Sequence, residues 1–382
     1  MKRLATFAST MACVALLTAC SSNDSIDLEP AELVDIESNL DLDKLWGEGI
    51  GDGMGEQYNL LQPAIKGDVL YAADHEGNVV ALDRNSGREQ WEVELEQRIS
   101  GGVGLGKGRV FVGTLSGLVV ALDAGSGAEL WRQQVSSEVL APPAGNGDIV
   151  AVQTLDGKVI ALNAEDGEQR WRYDTVQPAL TLRGTAAPLV TENTVYAGFS
   201  SGKILAISAD DGILRWSQRL AVAQGRTELD RVIDIEGAPL LVNDILYGAS
   251  YQGRIMALNR GNGRPIWAHE DSTYQNLSAG LGYIFLVDSD DKVKAYNATS
   301  GQLMWENDQL VRRRLGASTT FGNYLAVADF EGYVHIMNQS DGEFVARRKV
   351  DGAGVRAPMT SAGDVLYVQG NSGELEALTV VE

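Results

Sequence analysis

Cysteine is nearly absent from this chain of 382 residues: there are two, Cys13 and Cys20. If Cys13 leaves with an N-terminal leader, one thiol remains and no intramolecular disulfide can form. Burial and backbone pairing must then hold the fold by themselves. Histidine is almost as scarce, and His75, His269 and His335 form no cluster with ligand spacing; each reads as a surface or strand histidine. Positive charge is short as well. With 31 Lys and Arg against 52 Asp and Glu the formal net charge is −21, so phosphate backbones and anionic lipid surfaces repel the body and nucleic-acid binding is not expected. Catalytic signatures are missing too. There is no Gly-x-Ser-x-Gly elbow, and the glycines of Gly51-Asp52-Gly53-Met54-Gly55 are followed by no Lys-Ser/Thr pair that would cradle phosphate. Asp288, Asp290 and Asp291 fall where other parts of the sequence have turn residues such as Ser200-Ser201-Gly202, so a solvated turn is favoured over a Ca²⁺ site.

What is present begins at the N-terminus. Lys2 and Arg3 precede an apolar stretch from Leu4 to Leu17, too short to cross a bilayer and laid out as a secretory signal. It ends in Leu17-Thr18-Ala19-Cys20. Small residues before a Cys directly after an apolar core resemble the bacterial lipobox, which implies cleavage of residues 1–19 and lipidation of Cys20. Acyl chains on that sulfur anchor the chain, each buried CH₂ contributing about 0.8 kcal/mol. Ser21 stands where inner-membrane lipoproteins often carry Asp, so resemblance to that sorting rule implies the outer membrane. Residues 20–44 then carry carboxylates and few large apolar side chains, as expected of a solvated tether spanning roughly 25–30 Å.

From residue 45 to 382 the chain repeats itself. Gly77, Ala81-Leu82-Asp83, Gly87 and Trp91 recur at the same offsets as Gly117 to Trp131 and Gly157 to Trp171. Further copies start at Gly202, Gly253, Asp291, Gly332 and Gly373; the seventh has Ala346 in place of Trp, and the eighth stops before its Trp. Each copy contains an apolar run before its first Gly, a second run such as Val79-Val80-Ala81-Leu82, an Asp/Asn-x-x-x-Gly hairpin and a Trp-bearing strand. Another strand opens near Pro63, Pro143, Pro188, Pro239 and Pro358. Four strands per unit, eight times over, predict an all-β chain folded as an eight-bladed β-propeller of four-stranded blades. Trp46 has no repeat before it and lies 45 residues ahead of Trp91. It should therefore supply the outer strand of the last blade and close the ring.

The repeat resembles the tryptophan-docking motif of pyrroloquinoline-quinone dehydrogenases, which are also eight-bladed. Those enzymes often carry an adjacent-Cys disulfide and Ca²⁺ ligands, and this chain has no Cys pair. No cofactor is expected, and the likeness speaks to blade packing alone.

The 40-residue spacing lengthens twice, to 45 residues between Gly157 and Gly202 and to 51 between Gly202 and Gly253. Extra length in a repeat protein maps to loops on one face, often the binding face. The first expansion holds Pro178-Ala179-Leu180-Thr181-Leu182-Arg183-Gly184, where Leu180 and Leu182 should share a strand face; they either form an interface or pack into the fourth blade. The second runs from Gly225 to Gly237 and includes Thr227-Glu228-Leu229-Asp230-Arg231. With the lipobox, Gly49-Ile50-Gly51 after Trp46 and Glu331-Gly332-Tyr333-Val334-His335, these elements resemble the BamB family, the lipoprotein subunit of the outer-membrane β-barrel assembly machinery, along the whole mature chain. The resemblance implies a scaffold without catalysis that binds the periplasmic domains of the barrel subunit, BamA, and assists unfolded barrel precursors. It assigns partner binding to Leu180, Leu182, Arg183, Asp234 and Glu236, the last replacing the Asp of the family pattern. A periplasmic quinone-dependent dehydrogenase and a lipid-anchored ligand-binding propeller are the competing readings. Arg312-Arg313-Arg314 reads as a solvated loop between blades, with a partner contact as the alternative.

Overall fold

A computed structural model describes residues 29–37, 40–55 and 60–381; Cys20 and the leader lie outside them. Eight antiparallel sheets follow one another along the chain. Blade one consists of Ala64–Lys66, Val69–Ala73, Asn78–Asp83 and Glu89–Glu94, in that order from the ring axis outward. Blades two to seven repeat this plan. Blade eight takes Thr360–Ala362, Val365–Gln369 and Glu374–Val381 from the C-terminus and its outer strand, Asp41–Gly49, from the N-terminus. Trp46 pairs with Ala377 there, as Trp91 pairs with Ala81 in blade one, so the ring closes as the repeat count requires. The expected boundary at residue 45 falls inside this strand. Blade two departs from the four-stranded plan, because Leu60–Leu61 adds a short parallel strand beside Gly101 and Gly102.

Each blade is covered on both faces by its neighbours, which explains the unbroken apolar runs: Val79 to Leu82 are all buried, whereas only Trp91 is buried on the outer strand Glu89–Glu94. The hairpin between these strands is held by the Asp83 carboxylate, which accepts the backbone N–H groups of Asn85 (3.2 Å) and Ser86 (2.9 Å). Gly87 turns the chain at φ +74°, and a Cβ there would lie 2.8 Å from the Trp46 ring. Trp46 also donates its indole N–H to the Arg84 carbonyl (2.9 Å). The same indole-to-carbonyl bond runs from Trp91 to Ala124, Trp131 to Ala164, Trp171 to Ala209, Trp216 to Arg260, Trp267 to Ala298 and Trp305 to Gln339. Seven of the eight outer strands are thus latched to the next blade.

Ala346 leaves one latch missing, between blades seven and eight. Polar and apolar contacts with the two outermost strands of blade eight take its place. Arg348 bonds Glu376 (3.3 Å) and the Leu42 carbonyl (3.5 Å), Lys44 bonds Glu376 (2.9 Å), and Leu42 packs in one core with Val345, Ala346 and Met359.

Residues 31–37 were expected in a solvated tether, but part of this segment is seated on blade seven and the loop leading into it. Arg313 donates to the Ala31 carbonyl (3.0 Å), Ala31 donates its N–H to Val311 (3.1 Å), Arg347 donates to the Val34 carbonyl (2.9 Å), and Leu33 packs against the core of blades six and seven. Arg313 is correspondingly buried, which corrects its reading as part of a solvated loop; Asp329 (2.7 Å) and Glu331 neutralise it. His335 is a buried strand histidine. Its Nε2 faces Asp329 (2.9 Å) and its Nδ1 accepts from Arg347 (2.9 Å), and burial keeps its pKa low.

Candidate functional site

Both expansions lie on the face of the ring that carries the blade-to-blade loops. Between the outer strand of blade three, Gln169–Asp174, and the first strand of blade four, Leu189–Val190, the chain forms no regular structure. The expectation that Leu180 and Leu182 share a strand face is therefore corrected. No neighbouring strand supplies ladder partners here, and the backbone is held by side chains instead. Leu182 donates its N–H to the Asp234 carboxylate (3.2 Å), and Arg183 donates its N–H to the Thr181 hydroxyl (3.1 Å). Arg183 sits at φ +66°, a left-handed conformation that side chains seldom adopt. The result is a raised segment whose side chains face solvent: Leu180 is 45% and Leu182 38% exposed, so neither packs into blade four. The Arg183 guanidinium reaches out to 4.0 Å from Glu138 and is otherwise open.

Asp234 and Glu236 stand behind this segment. Asp234 is almost wholly buried, bridges through its backbone to Tyr251, and accepts a second N–H from Ile235 (2.8 Å). Burial pushes its pKa up to about 6, against the opposing bonds from Leu182, Ser200 and Ile235. Glu236 is driven further, to about 8, first by burial and then by the Asp234 charge. Its Oε1 is buried without a hydrogen-bond partner. Gly184 explains how the carboxyl fits, since a Cβ at that position would lie 2.2 Å from Oε1. The five residues singled out in the sequence thus come together in one loop cluster, with the leucines and Arg183 in front, Asp234 buried behind them and Glu236 half-buried beside it.

The second expansion folds on itself. The Asp230 carboxylate accepts the N–H groups of Arg226 (3.2 Å) and Thr227 (3.0 Å), and the Thr227 hydroxyl accepts the Asp230 N–H (3.1 Å). The Thr-x-x-Asp spacing is the signal for such a reciprocal cap. It closes a 3-10 turn, Leu229–Arg231, that leaves Leu229 75% exposed. Val176 and Val222, which the sequence reasoning passed over, are exposed as well and border a cavity of about 670 Å³ between blades three and four.

A second cavity of about 650 Å³ opens on the loop face, with Leu182 and Glu236 on its wall. The Asp288–Asp291 turn lies nearby; Asp290 at its tip is solvated as expected, while Asp288 and Asp291 are buried. Asp291 accepts the N–H groups of Arg314 (2.7 Å) and Leu315 (2.8 Å), while Asp288 accepts those of Asp290 and Lys292 (both 2.9 Å) and pairs with Lys294. These carboxylates shape loops. Among the described residues no group of three or more His, Cys, Asp or Glu side chains is placed to hold a metal ion.

The sequence profile of the family described as outer membrane protein assembly factor BamB matches residues 75–293 and 289–382. The outer membrane protein assembly factor BamB of Pseudomonas aeruginosa is 51% identical over 373 residues, which is 98% of each chain. The crystal structure of BamB from Moraxella catarrhalis superposes with a TM-score of 0.81 at 31% identity, covering 88% of this chain and 99% of that one. A quinohemoprotein alcohol dehydrogenase from Comamonas testosteroni reaches a TM-score of 0.69 at 16% identity, over 88% of this chain and 76% of that one. At that identity the likeness concerns the propeller fold alone.

Proposed function

The chain belongs to the BamB family of outer membrane protein assembly factors, and from that premise we propose that it is a non-catalytic scaffold docking the periplasmic domains of BamA on its Leu180–Arg183 segment. One observation carries this reading: a buried carboxylate, Asp234, fixes the backbone of a loop whose two leucines and arginine are left exposed. Apolar anchors beside a guanidinium suit the centre of a protein interface, and a loop held in advance loses little entropy on docking. Asp234 and Glu236 act from behind, as positioning groups for that loop.

Cys20 is the proposed lipidation site after removal of residues 1–19, holding the ring at the periplasmic face of the outer membrane. Held there beside BamA, the ring is within reach of unfolded barrel precursors. The dehydrogenase reading finds no support in the loop cluster, where Asp234, Asp288 and Asp291 are each engaged by backbone N–H groups, those of Leu182, Asp290 and Arg314. Arg183→Glu tests the docking. Capture of BamA from detergent-solubilised outer membranes should fall at least about tenfold, the scale of a lost charge-assisted interface contact, while the β-sheet circular dichroism is unchanged. Undiminished capture by a folded variant would reject the segment as the docking site.

A further inference from the structure

The cavity beside Leu182 has a lining unlike the rest of this acidic chain. Two guanidinium groups, Arg314 and Arg356, stand on its wall with the aromatic rings of Phe330 and Tyr274. Among the described residues of this lining the one carboxyl is Glu236, which burial holds protonated at neutral pH. In a chain of net charge −21, this mouth is therefore locally positive. Its geometry is built in. Asp291 draws in the N–H groups of Arg314 and Leu315 and holds Arg314 at φ +50°, which sets its exposed side chain at the rim with its Cζ 5.9 Å from the Phe330 ring centroid. Arg356 is braced by a bond to the Gly55 carbonyl (3.0 Å) and by its own N–H donated to Asn371 (3.2 Å). Glu236 lines the same wall, and its protonated carboxyl is a donor for an incoming oxygen atom.

We propose that this cavity is a second docking site, which shares only Leu182 with the Leu180–Arg183 segment, and that it takes an extended polypeptide segment carrying a carboxylate next to an aromatic or aliphatic side chain. Arg314 and Arg356 receive the carboxylate, and Phe330, Tyr274 and Leu182 receive the apolar neighbour. Charge complementarity selects the acidic member, because a basic segment would meet the Arg314 and Arg356 guanidinium groups. A polypeptide fits better than an acyl chain. The cavity is open on the loop face and mixes amide groups, such as that of Asn371, with its apolar patches, whereas a hydrocarbon tail calls for an enclosed apolar wall.

The test uses the full chain in detergent micelles and a fluorescent extended peptide of alternating Glu and Phe, read by anisotropy. A matched peptide with Gln for Glu should bind at least about tenfold more weakly. Arg314→Glu should weaken the Glu peptide by a similar factor, and Phe330→Ala by severalfold, whereas Arg170→Glu, at an exposed position outside the cavity, should leave it unchanged. The proposal is overturned if binding does not saturate below about 1 mM, if the Gln peptide binds equally well, or if folded Arg314→Glu protein binds the Glu peptide normally. Displacement by laurate at lower concentration than by unlabelled peptide would assign the cavity to a lipid and equally overturn it. Arg183→Glu should keep full peptide affinity while losing BamA, so the two sites fail or stand separately.

Discussion

Glu236→Gln removes an ionisable group that the fold holds in its protonated form, and the size of the effect follows from the site. The ordinary Glu value of 4.5 is raised to about 8, by burial first and the Asp234 charge second. At neutral pH the folded chain therefore holds a proton on Glu236 that the unfolded chain has released. Stability from this group is full below about pH 4.5 and falls as pH rises toward about 8, because the unfolded state binds fewer protons throughout that window. At about 1.4 kcal/mol per unit, the penalty is below about 1 kcal/mol at pH 5 and about 3 kcal/mol at pH 7. Glutamine keeps the shape and never ionises. Whatever fixed cost its amide brings is the same at both pH values, so the difference between them isolates the proton. Urea unfolding of the parent and the variant at pH 5 and pH 7 should show the variant gaining about 2–3 kcal/mol on the parent over that interval, or roughly 3–5 °C in melting temperature. A parent-to-variant gap that is the same at both pH values would refute the idea that Glu236 is buried in its protonated form.

Two further outcomes follow from the packing. Deleting residues 40–50 removes Leu42, Trp46 and the whole outer strand of blade eight, a loss on the order of 5–10 kcal/mol against a total stability of similar size, so the ring should not fold; a deletion protein with unchanged melting temperature would refute the closure. Arg347→Ala takes away the donor to the Val34 carbonyl and should speed amide exchange over residues 31–37 without changing exchange in the strands of blade eight; unaltered exchange there would show that Leu33 and Arg313 hold the segment by themselves.

The blade count was legible because it rests on short offsets. Gly87, Asp83 and Trp91 occupy fixed places in one hairpin, and the indole latch repeats that spacing from blade to blade, so a linear comparison exposes it. The closing strand was legible for the same reason, since Trp46 keeps the register of the other tryptophans. The seating of residues 31–37 was not legible, because the groups that hold it, Arg313 and Arg347, lie about 300 residues away and no local pattern links them to Ala31 and Val34. Burial of Arg313 was hidden likewise. A triplet of arginines reads as solvated until Asp329 and Glu331 are folded beside it. At the Leu180–Arg183 segment the residue types were readable and their exposure was not, because the choice between exposure and blade packing depended on Asp234, 52 residues downstream, and on the space that Gly184 leaves for Glu236.

The seated segment on blade seven also fixes how far the ring can stray. With Cys20 acylated as proposed, only the eleven residues up to Ala31 separate lipid from folded body, and a chain of that length reaches at most about 40 Å when fully extended. The ring is then confined to a shallow layer against the bilayer. Any partner embedded in the same membrane meets it within that layer rather than across the whole periplasmic volume, which raises its effective concentration. Under that confinement the ring can release and rebind without being lost to the periplasm. Lengthening the stretch before Ala31 would dilute the ring in place, lowering occupancy while leaving every contact of the interface intact.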